Sequence, residues 1–209
     1  MSNEIIKRLL SSLVIIPISL FFIINGSYYF NLFLIIFFLI SSYEWYKLTG
    51  NKILTFFGII FLFLSTYSAY LLRGDTKENL LLFILIILIC VATDIGGFFF
   101  GKLFKGPKLT KISPNKTYSG AICGYLLSIL AGYIFLYNYN ILNNDINFLI
   151  SVVLISTVSQ LGDLSISYFK RLYKRKNTGN LIPGHGGILD RTDGIIFATP
   201  FSYIFLIII

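Results

Sequence analysis

Charged residues are scarce in this chain, because only 12% of its 209 residues are Asp, Glu, Lys or Arg, whereas 56% are hydrophobic. A water-soluble domain carries about 25% charged residues to cover its surface, so a soluble protein of ordinary composition is excluded. Several apolar runs approach the length of about 20 residues that a helix needs to cross roughly 30 Å of hydrocarbon. The sequence therefore predicts an all-α fold, a polytopic bundle of transmembrane helices.

Cysteine is also rare. Cys90 and Cys123 are the two thiols, both inside apolar segments and without the spacing of a metal site or a disulfide framework. We interpret them as packing residues. Because no Ser-His-Asp or Cys-His arrangement stands out either, a protein nucleophile is not indicated.

The apolar runs predict seven spans within a single integral membrane domain, at 9–25, 28–43, 53–72, 79–101, 118–138, 146–169 and 194–209. Residues 1–78 carry no specific motif. The remainder, 79–209, contains two long polar segments, 102–117 and 170–193, and is expected to be the catalytic half.

Basic residues lie almost entirely at alternate connections. With the N-terminus in the cytoplasm, all but two of the 17 basic residues, Arg73 and Lys77, fall on the cytoplasmic side. Cytoplasmic loops are enriched in Lys and Arg. We therefore expect a multi-pass protein of the inner (cytoplasmic) membrane with both long segments facing the cytoplasm. The same topology explains the net charge of +8 without a nucleic-acid partner.

Two carboxylates, Asp94 and Asp163, interrupt apolar segments. An ionised carboxylate inside a span costs about 2.5–3.5 kcal/mol on the lenient insertion scale, so such residues usually face a partner, a cavity or an ion. Alternatively, each lies near a helix end and simply reaches water. Adjacent glycines, which allow close approach of another backbone, favour a site.

The segment 170–193 has the composition of a phosphate-handling site. Asp190 and Asp193 would share one helix face if Asp190 opened the last helix. Clustered carboxylates suit Mg²⁺, which takes further ligands from water and substrate phosphates. Glycines let backbone amides approach phosphate oxygens, and the nearby basic cluster supplies positive charge. These features indicate metal-assisted phosphoryl chemistry and go no further than that reaction class.

Three segments resemble the phosphatidate cytidylyltransferase family, also called CDP-diacylglycerol synthases, of the bacterial type. The family signature Ser-x-x-Lys-Arg, Lys-Asp and His-Gly-Gly-x-x-Asp-Arg-x-Asp has its counterpart in Ser167-Tyr-Phe-Lys-Arg171, Lys176-Asn177 and His185-Gly-Gly-Ile-Leu-Asp-Arg-Thr-Asp193. Gln160-Leu-Gly-Asp163 matches the segment before it. Ser113-Pro-Asn-Lys-Thr-Tyr-Ser-Gly120 resembles the family's Ser-Pro-Lys-Lys-Thr-Trp-Glu-Gly element.

The resemblance implies cytidylyl transfer from CTP to phosphatidic acid, giving CDP-diacylglycerol and pyrophosphate for phospholipid biosynthesis, with Mg²⁺ as cofactor. It also suggests a homodimer. It assigns Asp163, Asp190 and Asp193 to the metal, with Asp94 either supporting the site or holding a second cation. It assigns catalytic phosphate contacts to Lys170, Arg171 and Arg191. It assigns substrate binding to Ser113, Lys116, Thr117, His185, Gly186 and Gly187.

Two departures from the family pattern stand in these segments, since Asn177 replaces the usual Asp and Ser119 the usual Glu. Neither can supply a carboxylate, so an inactive homologue is one alternative. Others are a related CTP-using enzyme, such as a polyprenol kinase or an archaeal-lipid cytidylyltransferase, and a transporter or channel that uses Asp94 and Asp163 as an ion path.

Overall fold

The computed structural model describes residues 3–110, 113, 116–139, 145–184 and 186–208, with backbone only for 3–9, 145–146 and 206–208. Within these ranges the chain forms eight α-helices and no strand. They are α1 (Asn3–Asn25), α2 (Ser27–Thr49), α3 (Lys52–Arg73), α4 (Lys77–Phe104), α5 (Tyr118–Tyr139), α6 (Asp145–Leu172), α7 (Leu189–Thr192) and α8 (Ile195–Ile208).

Five of these helices, α2 to α6, are long and apolar enough to cross a membrane, and shorter apolar helices at Leu10–Asn25 and Ile195–Phe205 lie at either end of the described chain. Large hydrophobic side chains project outward along them; Leu13 is 72% exposed and Phe98 75%. A surface this apolar fits contact with lipid. The all-α multi-pass fold predicted from the sequence is thus confirmed.

The predicted spans match helices, although α1 begins six residues earlier and α2 ends six residues later than predicted. The fifth, 118–138, agrees with α5 to one residue. The fourth and sixth continue three residues further than predicted, to Phe104 and Leu172, so the two connections cover 105–117 and 173–188. Lys102, Lys170 and Arg171 therefore lie in last helical turns, where positive charge interacts favourably with the helix dipole.

Local signals explain the tight turns between helices. Gly50 ends α2 in the left-handed conformation at φ 58°, which glycine adopts without steric cost. Asn51 then begins α3, since its side chain accepts hydrogen bonds from the amides of Ile53 and Leu54. Because successive helices alternate in direction, this turn and both long connections share one end of the bundle, here called the loop end.

The pair α4 and α5 packs closely through glycines. A Cβ at Gly120 would lie 2.6 Å from the carbonyl oxygen of Gly97, and one at Gly124 would lie 2.9 Å from that of Thr93. Such contacts leave no room for a side chain. The close approach fixes where the connection 105–117 leaves and re-enters the bundle.

A buried apolar cluster organises the loop end. It joins five elements through Trp45, Leu48, Leu62, Ile166, Leu189 and Ile196. Leu189 is fully buried, although it belongs to the four-residue helix α7. This cluster seats the connection 173–188 and α7 against α2, α3, α6 and α8.

Candidate active site

Three carboxylates from separate elements converge below the loop end. Asp94 lies about ten residues before the end of α4 and Asp163 about nine before the end of α6, which places both roughly 15 Å along their helices. Asp193 follows α7, and its carboxyl group is hydrogen-bonded to that of Asp163 and within electrostatic range of Asp94. The connection 173–188 with α7 therefore dips into the bundle to reach them.

Close contact between α6 and the start of α8 makes this convergence possible. A Cβ at Gly162 would lie 2.7 Å from the carbonyl oxygen of Asp193. Gly194 lies just as tightly against Ser159. The glycine beside Asp163 thus has the role that the sequence predicted, which is to let a second backbone approach the carboxylate.

Asp193 is 7% exposed, and its pKa is raised well above the usual range. Burial is the largest cause, followed by the negative charges of Asp163 and Asp94; Lys170 opposes the shift. A carboxylate held in this way is destabilised when ionised unless a cation joins the cluster. The position is suited to a positively charged ligand.

The first connection folds onto the same carboxylates. Lys116 forms an ion pair with Asp163. The backbone holds Lys116 in place, because its amide donates to the carbonyl oxygen of Ser113 at 3.0 Å and its own carbonyl accepts from Leu109. Thr117 begins α5, since its Oγ1 accepts from the amide of Gly120 at 3.1 Å. The predicted meeting of both connections at one site is observed.

Asp190 has different partners from Asp193. Its Oδ1 accepts from Lys170 Nζ at 2.7 Å, and its Oδ2 accepts from the amides of Thr178 and Gly187 at 2.8 and 3.0 Å. The condition under which Asp190 and Asp193 would share one helix face is not met, because Asp190 lies within the separate helix α7 and does not open the last long helix. Its carboxylate stabilises the conformation of the connection 173–188 and orients Lys170.

The turn before α7 requires glycine at one position. Gly186 has φ +91°, a conformation that favours glycine, and a Cβ there would meet Asp190 Oδ2 at 2.7 Å and Asn177 Cγ at 3.2 Å. Asn177 therefore lies beside Asp190 at the edge of the site. His185, which the resemblance assigns to substrate binding, falls outside the described residues.

The two arginines assigned to phosphate contacts are exposed. Arg171 Nη1 donates to the carbonyl oxygen of Arg175 at 3.4 Å. Arg191 acts electrostatically on Asp94 together with Lys116. Lys116 of the first connection and Arg191 of α7 thus place positive charge within electrostatic range of Asp94.

Glu44 is a site residue that the sequence analysis missed. It is 3% exposed and lies in α2, where its carboxylate oxygens accept from the amides of Ile188 and Leu189 at 2.9 and 3.0 Å. The one signal was a carboxylate just after the apolar run 28–43. Because α2 continues to Thr49, this carboxylate is internal to a helix.

Binding of Mg²⁺ at this site depends on which carboxylate oxygens are free to coordinate it. Across the part of the chain that the structure describes, no three His, Cys, Asp or Glu side chains form a ready ligand group. Mg²⁺ commonly uses one or two carboxylates and completes its shell with water and substrate phosphates. The half-buried Asp163 and the buried Asp193 together fit that requirement, whereas the oxygens of Asp190 are already engaged. The assignment of Asp190 to the metal stays a prediction.

A polytopic helical membrane protein with carboxylates and lysines gathered at one end of its bundle is the class that the fold and the site define. Residues 51–209 match the model of the Cytidylyltransferase family. Two relatives named phosphatidate cytidylyltransferase align along almost the whole chain. The one from Rickettsia conorii is 35% identical over 208 residues, 94% of this chain and 89% of the relative, and the one from Rickettsia typhi is 36% identical over 209 residues, 95% and 90%.

A relative of the same name from Brucella suis is 38% identical over 133 residues, which cover 63% of this chain and 49% of that protein. The family match extends over most of the chain and includes Asp94, Lys116, Asp163, Asp190 and Asp193, whereas Glu44 lies before it. The chain belongs to the cytidylyltransferase family.

Proposed function

We propose that this protein transfers a cytidylyl group from CTP to phosphatidate, producing CDP-diacylglycerol and pyrophosphate for phospholipid synthesis. The observation that carries the proposal is the meeting of Lys116, Asp163 and Asp193, which come from three distant family-matched segments, at one end of the bundle. The named relatives support the same activity.

The reaction joins two anions. A phosphate oxygen of phosphatidate attacks the α-phosphorus of CTP, the bond to the β-phosphate oxygen breaks, and pyrophosphate leaves with the electron pair. No protein nucleophile is required. Lys116, Lys170 and Arg191 reduce the repulsion between the reactants and stabilise charge on the leaving group.

The pair Asp163 and Asp193 would hold Mg²⁺, with Asp94 nearby as a further carboxylate. When bound, the ion neutralises and orients phosphate oxygens. Lys116 pairs with Asp163 and Lys170 with Asp190, so both lysines are oriented toward the site. Each must exchange a carboxylate partner for phosphate when substrate arrives.

The lipid substrate needs an apolar approach from the bilayer. A cavity of about 200 Å³ opens beside α7 and is bordered by Trp45, Phe57, Phe61, Phe169, Leu189 and Phe197. Burying each CH₂ is worth about 0.8 kcal/mol, so an acyl chain is retained more readily here than in water. This cavity is our candidate for the lateral approach of the lipid tails.

The distribution of basic residues supports a cytoplasmic location for the loop end, and we place the protein in the inner membrane with its site facing the cytoplasm. CTP is then supplied directly from the cytoplasm. A homodimer forms part of the proposal on family grounds alone.

The assay uses detergent-solubilised protein with radiolabelled CTP, Mg²⁺ and phosphatidate, and it omits each component in turn. We expect labelled CDP-diacylglycerol and one equivalent of pyrophosphate, with no product in any omission control. Release of CDP with a phosphorylated lipid would instead identify a kinase. Absence of any lipid product from folded protein would refute the proposal.

The Asn177→Asp variant tests whether activity is affected by Asn177, which stands where the family usually has Asp. Because Asn177 lies at the edge of the site next to Gly186, a carboxylate there restores the family pattern without filling new space. We expect turnover equal to wild type or raised up to about tenfold, as one favourable charge interaction of ~1.4 kcal/mol would give. Initial rates at saturating CTP measure the effect.

Loss of activity in Asn177→Asp with unchanged folding would contradict this expectation. It would mean that the site depends on the amide. The conservative control is Asn180→Asp, which introduces the same charge at an exposed position of the same connection.

A further inference from the structure

Glu44 is a buried carboxylate to which the proposed mechanism assigns no step. It belongs to the N-terminal spans and precedes the part of the chain that matches the family model, which begins at residue 51. Burying a carboxylate is costly unless its oxygens are satisfied. The partners that satisfy Glu44 therefore indicate what it does.

Among the described residues, the side-chain hydrogen bonds of Glu44 run to the connection 173–188 and to α7. Oε1 accepts from the Ile188 amide at 2.9 Å, and Oε2 accepts from the Leu189 amide at 3.0 Å and faces Thr178 Oγ1 at 3.1 Å. These partners are more than 130 positions away in sequence. Glu44 thus fastens the connection to α2.

Thr178 links Glu44 to Asp190. Its hydroxyl lies 3.1 Å from Glu44 Oε2 and 3.0 Å from Asp190 Oδ2, so its single hydrogen is donated to one of the two carboxylates at a time. Asp190 in turn holds Lys170. A continuous set of contacts therefore joins α2 to a lysine that faces the phosphate site.

The atoms around the Glu44 carboxylate leave it little room for another conformation. A Cβ at Gly179 would lie 2.7 Å from Glu44 Oε1, and Gly187 lies still closer to the same carboxylate. Next to Glu44, Trp45 packs in the cluster that also contains Leu189. Backbone and side chains close around the carboxylate from both sides.

We infer that Glu44 is a positioning residue for cytidylyl transfer, which fixes the connection 173–188 and α7 through Thr178, Ile188 and Leu189 and thereby sets the placement of Asp190 and Lys170. In this role Glu44 acts through other residues and needs no contact with substrate. The catalytic part of this inference rests on the proposed function, whereas the anchoring part does not. The N-terminal spans thus supply a residue needed for the geometry of the site as well as membrane anchorage.

The test compares Glu44→Gln with wild type and with the control Glu78→Gln, which alters an exposed carboxylate at the other end of the bundle. Glutamine keeps the length of the side chain, but its NH₂ group replaces an acceptor with a donor. Hydrogen exchange of the purified protein, measured without substrates, should be about tenfold faster at the amides of 178 and 187–189 in Glu44→Gln. It should be unchanged in Glu78→Gln.

Steady-state kinetics provide the second measurement. Because Glu44 acts through Asp190 and Lys170, Glu44→Gln should lower kcat and raise KM for CTP by about tenfold each, and it should leave KM for phosphatidate in mixed micelles unchanged. A residue that only supports folding would reduce the amount of active protein without changing KM for CTP. Should Glu44→Gln not fold, Thr178→Val removes the bridging hydroxyl, and its KM for CTP should rise in the same way.

Unchanged exchange at 187–189 in Glu44→Gln would overturn the anchoring, whatever the activity. Faster exchange with wild-type kcat and KM would overturn the catalytic part. Because exchange is read without substrates, a chain with no cytidylyl transfer still reports whether Glu44 holds the connection. Failure of the proposed function is therefore distinguished from failure of this inference.

Discussion

Asp190→Asn should reduce CTP-dependent CDP-lipid formation by about 100- to 1,000-fold, the range expected when one partner of a buried, hydrogen-bonded ion pair is removed. Whichever way the new side-chain amide is turned, its NH₂ group faces another hydrogen-bond donor. Its NH₂ group would face Lys170 on one side or the amides of Thr178 and Gly187 on the other. The variant thus disturbs both the lysine and the fold of the connection.

The measurement is the initial rate of labelled CDP-diacylglycerol formation by purified variant and wild type at matched protein concentration. Size-exclusion profiles show whether the variant inserts and folds. Asp75→Asn, at an exposed position between α3 and α4, is the matched control and should retain full activity. Near-normal turnover of Asp190→Asn would show that Asp190 is not needed in the site.

Asp193→Asn should abolish turnover and yet stabilise the protein when Mg²⁺ is absent. The pKa of Asp193 is raised by burial and by Asp163 and Asp94, so the folded state binds this proton more tightly than the unfolded state does. The resulting stability is present below the unfolded-state pKa of about 3.9 and is lost as pH rises through the higher folded-state value. Asparagine at this position carries no charge at any pH, so the loss of stability with rising pH does not occur in the variant.

Thermal unfolding in detergent provides the readout. Without Mg²⁺, the melting temperature of wild type should fall with rising pH across that interval more steeply than that of Asp193→Asn. Saturating Mg²⁺ should raise the melting temperature of wild type, since a ligand that binds only the folded state stabilises it. The same shift in Asp193→Asn would show that the ion binds elsewhere.

The location of the acidic residues also bears on the transport alternative. A path for ions needs polar groups at several depths of the bundle. Asp94, Asp163 and Asp193 instead meet one another at a single depth, next to Lys116 from the first connection. This grouping favours a single site over a path through the bundle.

Much of the site was predictable because its parts are local in sequence. Asp163 with Gly162 could be recognised as a close-approach site from adjacent residues alone, and the structure places the Asp193 backbone there. The meeting of the two connections followed from topology, since both fall on the same side of the membrane. In the structure Lys116 from one connection and Asp193 from beyond the other both lie against Asp163 of α6.

The division of roles between Asp190 and Asp193 was not predictable. Their spacing of three suggested one helix face and a shared ion. In the structure the helix that contains Asp190 has only four residues, and the chain turns at Gly194 before α8. One carboxylate therefore faces Lys170 and the other Asp163.

The sequence by itself determined the membrane-spanning helical fold, the two polar connections and the identities of the charged residues within them. These features depend on apolar run length and on residues close together along the chain. Tertiary structure alone decided which carboxylate faces which cation and that Glu44 holds the second connection. Those contacts join groups from 20 to 145 residues apart along the chain, and their geometry depends on how the helices pack, which no local pattern encodes.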